Sequence, residues 1–282
     1  MTLDLHLHST VSDGRLAPGD LVRFAHSHGV TTMALSDHDS TDGVDEAQRA
    51  GAQCSPSVRV IPAVELSTDL PGASIHILGL FLDHTDAAFQ AAVGGFRAAR
   101  LERAEQMVEA LKSIGAPIRL ERVFEIAGEG SVGRPHVAQA LLEAGHIQSI
   151  DEAFDRFIGR GGPAYFEGFR LEPAEGIRLI HSVGGFASWA HPNELDGKDW
   201  RDFLPAVLEA GIDGLEAYYS KDYGPDYPRL MLEACEAHNL VPTVGSDYHG
   251  FGTLAVPPGS VPSPADLLDR LEGRVANLSK SR

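Results

Sequence analysis

Cysteine is nearly absent. Cys54 and Cys235 are the only two in 282 residues and form no CxxC unit, so neither a disulfide framework nor a thiolate metal site is expected, and both read as separate reduced thiols. Basic residues are also scarce, with Lys+Arg 23 against Asp+Glu 40 and a net charge of −17. Binding to a long nucleic-acid backbone depends on spread cationic charge, so that class of partner is not expected. No stretch approaches the roughly 18 apolar residues that span a bilayer. Met1 to His8 passes directly into a polar, histidine-bearing segment, with no room for a secretory leader. These absences predict a cytoplasmic chain with no membrane association, and no obligate protein partner is inferred.

What is present is enough apolar content, 43%, to bury a sizeable core, and an α/β rhythm. Strand-like runs fall at Leu3–His8, Thr31–Ser36, Val58–Val64, Ile75–Leu80, Phe186–Ala190, Ile212–Tyr218 and Leu240–Gly245. Helical patterns alternate with them, at about Pro18–Ser27, Pro173–Val183, within Trp200–Ala210 and through Met231–His238. The middle of the chain is strand-free. There Leu101, Ala104, Met107, Val108 and Leu111 repeat with helical spacing until Gly115 and Pro117 stop them. Further helices follow at about Pro135–Ala144 and from Ser149, where Ser149-Ile150-Asp151-Glu152 reads as a capping box. The expected division is a barrel-like α/β domain over residues 1–97 and 171–282, with a small helical insertion at 98–170.

In a β/α barrel the chemistry sits at the carboxyl ends of the strands, and there the histidines and carboxylates recur. Asp4-Leu5-His6-Leu7-His8 closes the first strand, whose two-residue period directs Asp4, His6 and His8 to one side. Asp13 follows in a turn. His38 ends the second strand, Glu65 the third, and His76 enters the fourth; His191 and Asp247-Tyr248-His249 follow strands in the second half. Mixed nitrogen and carboxylate donors favour manganese, iron or zinc over calcium or magnesium. Nine donors exceed one ion's needs, so two or three divalent ions are expected, with Glu65 or a hydroxide bridging. Such clusters activate water and stabilise both oxygens of an in-line phosphoryl transfer. Spacing supports a cluster but cannot assign ligands to individual ions. His26, His28, His84, His146, His181 and His238 show no convergent pattern.

The motifs DLHLHSTVSDG, LSDHDS, Glu65 with His76, Trp189-Ala190-His191-Pro192 and Gly245-Ser246-Asp247-Tyr248-His249 resemble those of the PHP (polymerase and histidinol phosphatase) superfamily, over nearly the whole chain. The resemblance implies a distorted (β/α)7 barrel and a trinuclear site, and of the metals that the donors favour manganese is expected first. One ion would take His6, His8, Glu65 and Asp247, a second Glu65, His76 and His191, and a third Asp13, His38 and His249. Asp4 and Asp37 would orient imidazoles from behind.

Within the superfamily the insertion resembles the subgroup of 3′,5′-nucleoside bisphosphate phosphatases and 5′→3′ exoribonucleases acting on short RNA. Arg100, Arg103, Arg134 and His136 match places where that subgroup holds phosphate, and a guanidinium can bind phosphate oxygens in pairs. The expected partner is therefore a small phosphorylated nucleotide or short oligonucleotide, with His191 and His136 as catalytic residues. A histidinol-phosphate-type phosphatase and a non-catalytic metal-binding regulatory module are the alternatives. Gly159-Arg160-Gly161-Gly162 reads as a flexible connector, with a phosphate-touching loop as the alternative, and Glu216 and Lys221 either face the site or solvate its rim.

Overall fold

The computed structural model describes residues 2–128, 130–166, 171–195, 197–219, 224, 226–250 and 256–278. The first half runs β1 (Leu3–Asp4), α1 (Pro18–Ser27), β2 (Thr32–Leu35), α2 (Val44–Gln53), β3 (Arg59–Leu70) and β4 (Ala73–Leu80). Helices α3 (Ala87–Ser113), α4 (Leu120–Ala127), α5 (Arg134–Glu143) and α6 (Ile150–Ala153) come next, and α6 runs into a π-helical turn at Phe154–Ile158. The remainder is α7 (Pro173–Ser182), β5 (Phe186–Trp189), α8 (Leu204–Glu209), β6 (Gly214–Tyr219), α9 (Tyr227–Ala237), β7 (Val241–Gly245) and α10 (Leu267–Leu278).

The seven strands lie in sequence order as one sheet. It closes on itself where Leu5 N–H donates to Val244 O and Asp247 N–H to His6 O, each at 2.9 Å. β1–β2, β2–β3, β5–β6 and β6–β7 are parallel, whereas β4 runs antiparallel to both β3 and β5. That reversal is the distortion of the seven-stranded barrel. β2 and β5 are buried along their whole length, as strands covered on both faces must be. α1 starts where Pro18 presets the first helical φ and buries Leu21, Val22 and Ala25.

The structure departs from expectation in β3. The strand does not end near Glu65 but continues to Leu70, because Ala63–Leu70 pair residue by residue with Leu80–Ala73 in a hairpin. Glu65 therefore projects from mid-strand. Helix α3 starts at Ala87, capped by the Asp86 carboxylate on the N–H groups of Ala88 and Phe89. Its first half packs Phe89 and Val93 into the barrel's apolar cluster. Ala104, Met107 and Leu111 join a separate core drawn from residues 104–164, with Val123, Val137, Leu141 and Ile158. One continuous helix thus joins the two cores. At α6 the Ser149 hydroxyl accepts from Glu152 N–H, but the Glu152 carboxylate returns to Gln148 N–H, one residue earlier than in a standard capping box.

Candidate metal centre

Glu65 stands at the middle of the barrel mouth. Its backbone is fixed by bonds of Asp39 N–H to Glu65 O and Glu65 N–H to Asp37 O. Oε1 faces His76 Nδ1 at 2.8 Å and His191 Nε2 at 3.0 Å. Oε2 faces His38 Nδ1 at 3.0 Å, His8 Nε2 at 3.2 Å and His6 Nε2 at 3.3 Å. Asp247 Oδ1 lies 3.2 Å from the Nε2 atoms of both His6 and His8. Asp13 approaches His249 Nε2 at 3.2 Å and His38 Nε2 at 3.8 Å. All nine expected donors converge, from strands and loops spread along the chain.

Three sets of donor atoms lie within 4.8 Å of one another: His6, His8, Glu65 and Asp247; His8, Asp13, His38 and His249; and His38, Glu65 and His76. The first coincides with one expected set. The others bring His8 beside Asp13 and His38 beside His76, while His191 reaches the group through Glu65 Oε1.

These residues fit a metal. His6 Nε2, His8 Nε2, Asp13 Oδ1, His38 Nδ1 and Glu65 Oε2 are all buried without a hydrogen-bond partner. Leaving five such atoms unsatisfied in one place is costly. Ligands about 2.1 Å from a common ion sit about 3.0–3.4 Å apart across octahedral or tetrahedral edges, which matches the spacing of the His6, His8, Glu65 and Asp247 donors. Burial alone would raise Glu65, Asp13 and Asp247, yet the facing imidazoles hold all three well below the usual carboxylate range. Burial works against charge on His191 and His249 as well; the carboxylates around them prevail and push them up to about 9 and about 10.

Residues behind the donors set their orientation. Glu216 is fully buried: Oε1 accepts from His6 Nδ1–H at 3.0 Å and Oε2 from His191 N–H at 2.8 Å. One carboxylate thereby fixes donors that follow β1 and β5, and puts the His6 lone pair on Nε2. Tyr219 donates its hydroxyl toward Asp247 Oδ2 at 2.7 Å and Glu194 Oε1 at 2.9 Å. His191, Asp247 and Asp39 hold left-handed φ values of 32°, 52° and 49°, strain of the kind tolerated where a site over-determines the backbone. The expected role of Asp4 needs correction. Its carboxylate accepts from the backbone N–H groups of Ser246 and Gly259, tying the β7 loop to β1, and touches no imidazole. Asp37 acts through hydroxyls, binding Ser9 and Ser12 at 2.7 Å, with Ser12 Oγ 3.5 Å from His8 Nδ1.

A cleft of about 170 Å³ opens beside the cluster, lined by Asp13, His38 and His76 on one side and Arg100, Arg103, Arg134 and Arg160 on another. That is about ten times the space one water needs. Arg100 donates to Asp39 Oδ2 at 2.6 Å and Ser67 Oγ at 2.7 Å. Arg134, at the start of α5, lies over the Phe154 ring. Arg103 keeps a buried Nε without a hydrogen-bond partner; burial, reinforced by Arg134 and Arg100, lowers it to about 10. It remains charged at neutral pH, beside like charges that an anion would relieve. His136 is buried and does not line the cleft: its Nδ1 accepts from Gly133 N–H at 2.9 Å, bracing the turn that presents Arg134. Lys221 lies outside the described residues.

The PHP domain family matches residues 4–159 of this sequence. The chain belongs to the PHP family. A 5′-3′ exoribonuclease from Haemophilus influenzae is 34% identical over 250 residues, covering 87% of this chain and 89% of that protein. A 3′,5′-nucleoside bisphosphate phosphatase from Chromobacterium violaceum is 30% identical, with 89% and 88% covered. Among solved structures, a candidate metal-dependent phosphoesterase from Bifidobacterium adolescentis superposes with a TM-score of 0.86 at 29% identity, covering 96% of each chain. The chain is accordingly a hydrolase of the metal-dependent phosphoesterase class. No described helix is long and apolar enough to cross a membrane.

Proposed function

We propose that this PHP phosphoesterase hydrolyses a phosphoester of small nucleotides that carry a second phosphate, releasing phosphate from 3′,5′-nucleoside bisphosphates and 5′-mononucleotides from the 5′ ends of short RNA. The observation that carries the reading is the pairing, on one cleft, of a histidine–carboxylate cluster with a separate bank of arginines. One end suits the phosphorus that reacts; the other suits a phosphate that is only held. The names of the Haemophilus and Chromobacterium relatives point to the same substrates. A small substrate also agrees with the net charge of −17.

In this proposal His6, His8, Asp13, His38, Glu65, His76, His191, Asp247 and His249 hold two or three divalent ions, manganese first among them. Such ions supply positive charge to the phosphoryl oxygens and make water a better nucleophile. Glu65 links the donor sets, and Glu216 keeps His6 and His191 facing them. Arg103 and Arg134 grip the second phosphate, with Arg100 held against Asp39 as a neighbouring positive charge. His136 acts through the Gly133–Arg134 turn. Residues 98–170 form the unit that adds these arginines to the barrel, and the protein works in the cytoplasm.

The test is turnover by manganese-loaded protein, read as phosphate release from adenosine 3′,5′-bisphosphate and histidinol phosphate and as mononucleotide release from short 5′-phosphorylated RNA, with a metal-stripped control. Metal-dependent turnover of the nucleotide or RNA is expected. Turnover of histidinol phosphate alone would overturn the second-phosphate reading while keeping the chemistry.

A further inference from the structure

The Gly159-Arg160-Gly161-Gly162 segment is a built loop rather than a slack connector. It leaves the π-helical turn at Phe154–Ile158, a form often found at functional sites. Gly159 N–H bonds to Phe154 O, Gly162 N–H to Gly159 O, and Ala164 N–H to Phe157 O. A Cβ at Gly159 would lie 2.3 Å from Phe154 O, one at Gly162 would lie 2.5 Å from Phe157 O, and Gly161 has φ +81°. Each glycine is thus required by the backbone, and the single side chain the motif carries is Arg160.

Arg160 lines the same cleft as the metal-centre residues His38 and His76. Its guanidinium carbon is 5.6 Å from the centre of the Tyr165 ring, and that of Arg103 is 5.9 Å from the same ring. Tyr165 therefore gathers two guanidiniums from different elements, pre-organising a two-arginine anion site. The Arg160–Asp69 contact is 3.8 Å, longer than a direct hydrogen bond. Both side chains are about a quarter exposed, so this pair holds weakly.

We propose that Arg160 is a specificity-determining residue that joins Arg103 on the substrate's second phosphate, exchanging Asp69 for phosphate oxygens when substrate enters. The proposal rests on the phosphoesterase reading above and deepens it. A phosphate offers paired oxygens and up to two charges, so it competes well with the Asp69 carboxylate, which is held at ion-pair distance. Selectivity for a doubly phosphorylated substrate would then come from the helical segment, while the barrel supplies the reaction.

The experiment compares wild type with Arg160→Ala, Arg160→Lys and Asp69→Asn, using adenosine 3′,5′-bisphosphate and adenosine 3′-monophosphate under manganese. It also measures calorimetric binding of the bisphosphate to metal-stripped protein. Arg160→Ala should weaken bisphosphate KM and binding by about 10–100-fold, with kcat little changed and the monophosphate within about twofold of wild type. Arg160→Lys should recover part of the loss, and Asp69→Asn should tighten bisphosphate binding. Equal losses on both substrates would make Arg160 merely structural, and unchanged bisphosphate binding would also overturn the proposal. If wild type hydrolyses no nucleotide, the function reading fails, yet binding still decides Arg160: a selective loss in Arg160→Ala sustains it, and absent wild-type binding refutes it.

Discussion

Replacing Glu216 with Gln tests whether the metal centre is oriented from behind. The carboxylate accepts from His6 Nδ1–H at 3.0 Å and from His191 N–H at 2.8 Å, with no solvent access. Glutamine keeps one accepting oxygen and presents an NH2 to the other donor, so one of these groups is left unmet. In a dry site that costs about 1–3 kcal/mol. His6 can rotate or change tautomer to escape, and either movement takes Nε2 away from its place between Glu65 and Asp247. Losing an outer partner of a ligating histidine typically lowers metal affinity by about 10–100-fold, or roughly 1.4–2.7 kcal/mol. Manganese content after dialysis against graded free manganese should show half-occupancy shifted upward by that factor. Turnover should largely return at saturating metal, because the donors themselves remain. Glu216→Gln protein with wild-type manganese affinity and wild-type melting temperature would refute the reasoning and leave Glu216 as a passive core carboxylate.

Gly245→Ala attacks the same point sterically. The new Cβ would lie 2.2 Å from His6 Cβ and 2.3 Å from Glu216 Oε1, so β1 and β7 must separate; overpacking of this kind costs about 1–3 kcal/mol, read as a lowered melting temperature with weakened manganese binding. His191→Ala removes the Nε2 atom 3.0 Å from Glu65 Oε1 and should reduce kcat by at least about 100-fold with the fold retained by circular dichroism; unchanged kinetics and metal content would exclude the proposed role. Stripping the metal should destabilise the chain, since the folded cluster then loses ions that its buried donor atoms would hold. At manganese about 100-fold above Kd the bound form gains about 2.7 kcal/mol, which for a chain of this size is a rise of roughly 5–10 °C in melting temperature.

Much of this architecture is legible in the sequence, for reasons that differ between residues. The helix over Pro18–Ser27 is marked by proline at its first position and a regular buried face. The histidines are legible because all but His76, which lies within β4, follow a strand, and recurrence at strand ends is poorly explained by accident. The extension of β3 beyond Glu65 is not marked, because pairing across a hairpin depends on the partner strand, and β4 reverses direction against the α/β rhythm. Glu216 is ambiguous for a related reason: two-residue alternation says that a side chain points to one face of a strand, but in a barrel both faces are buried, and alternation cannot tell the interior from the helix layer. His136 looks like a phosphate ligand because it sits at a helix start beside Arg134; the same position suits an imidazole that braces the turn, and the structure gives it that contact.

The Gly-Arg-Gly-Gly segment is ambiguous in the sequence for an instructive reason. Glycine-rich composition is equally the mark of a slack linker and of a loop whose backbone passes close to itself, since both need residues without a Cβ. Only contacts distinguish them. Here Gly159 and Gly162 each press against a carbonyl of the preceding π-helical turn, and the arginine between them faces the cleft. The barrel and the helical segment therefore rest on separate cores, joined through α3, which carries Arg100 and Arg103 between them. Substitutions on the helical side should alter which phosphoester is accepted, seen in KM ratios between bisphosphate and monophosphate, whereas those at the barrel mouth should alter metal binding and kcat for every substrate alike.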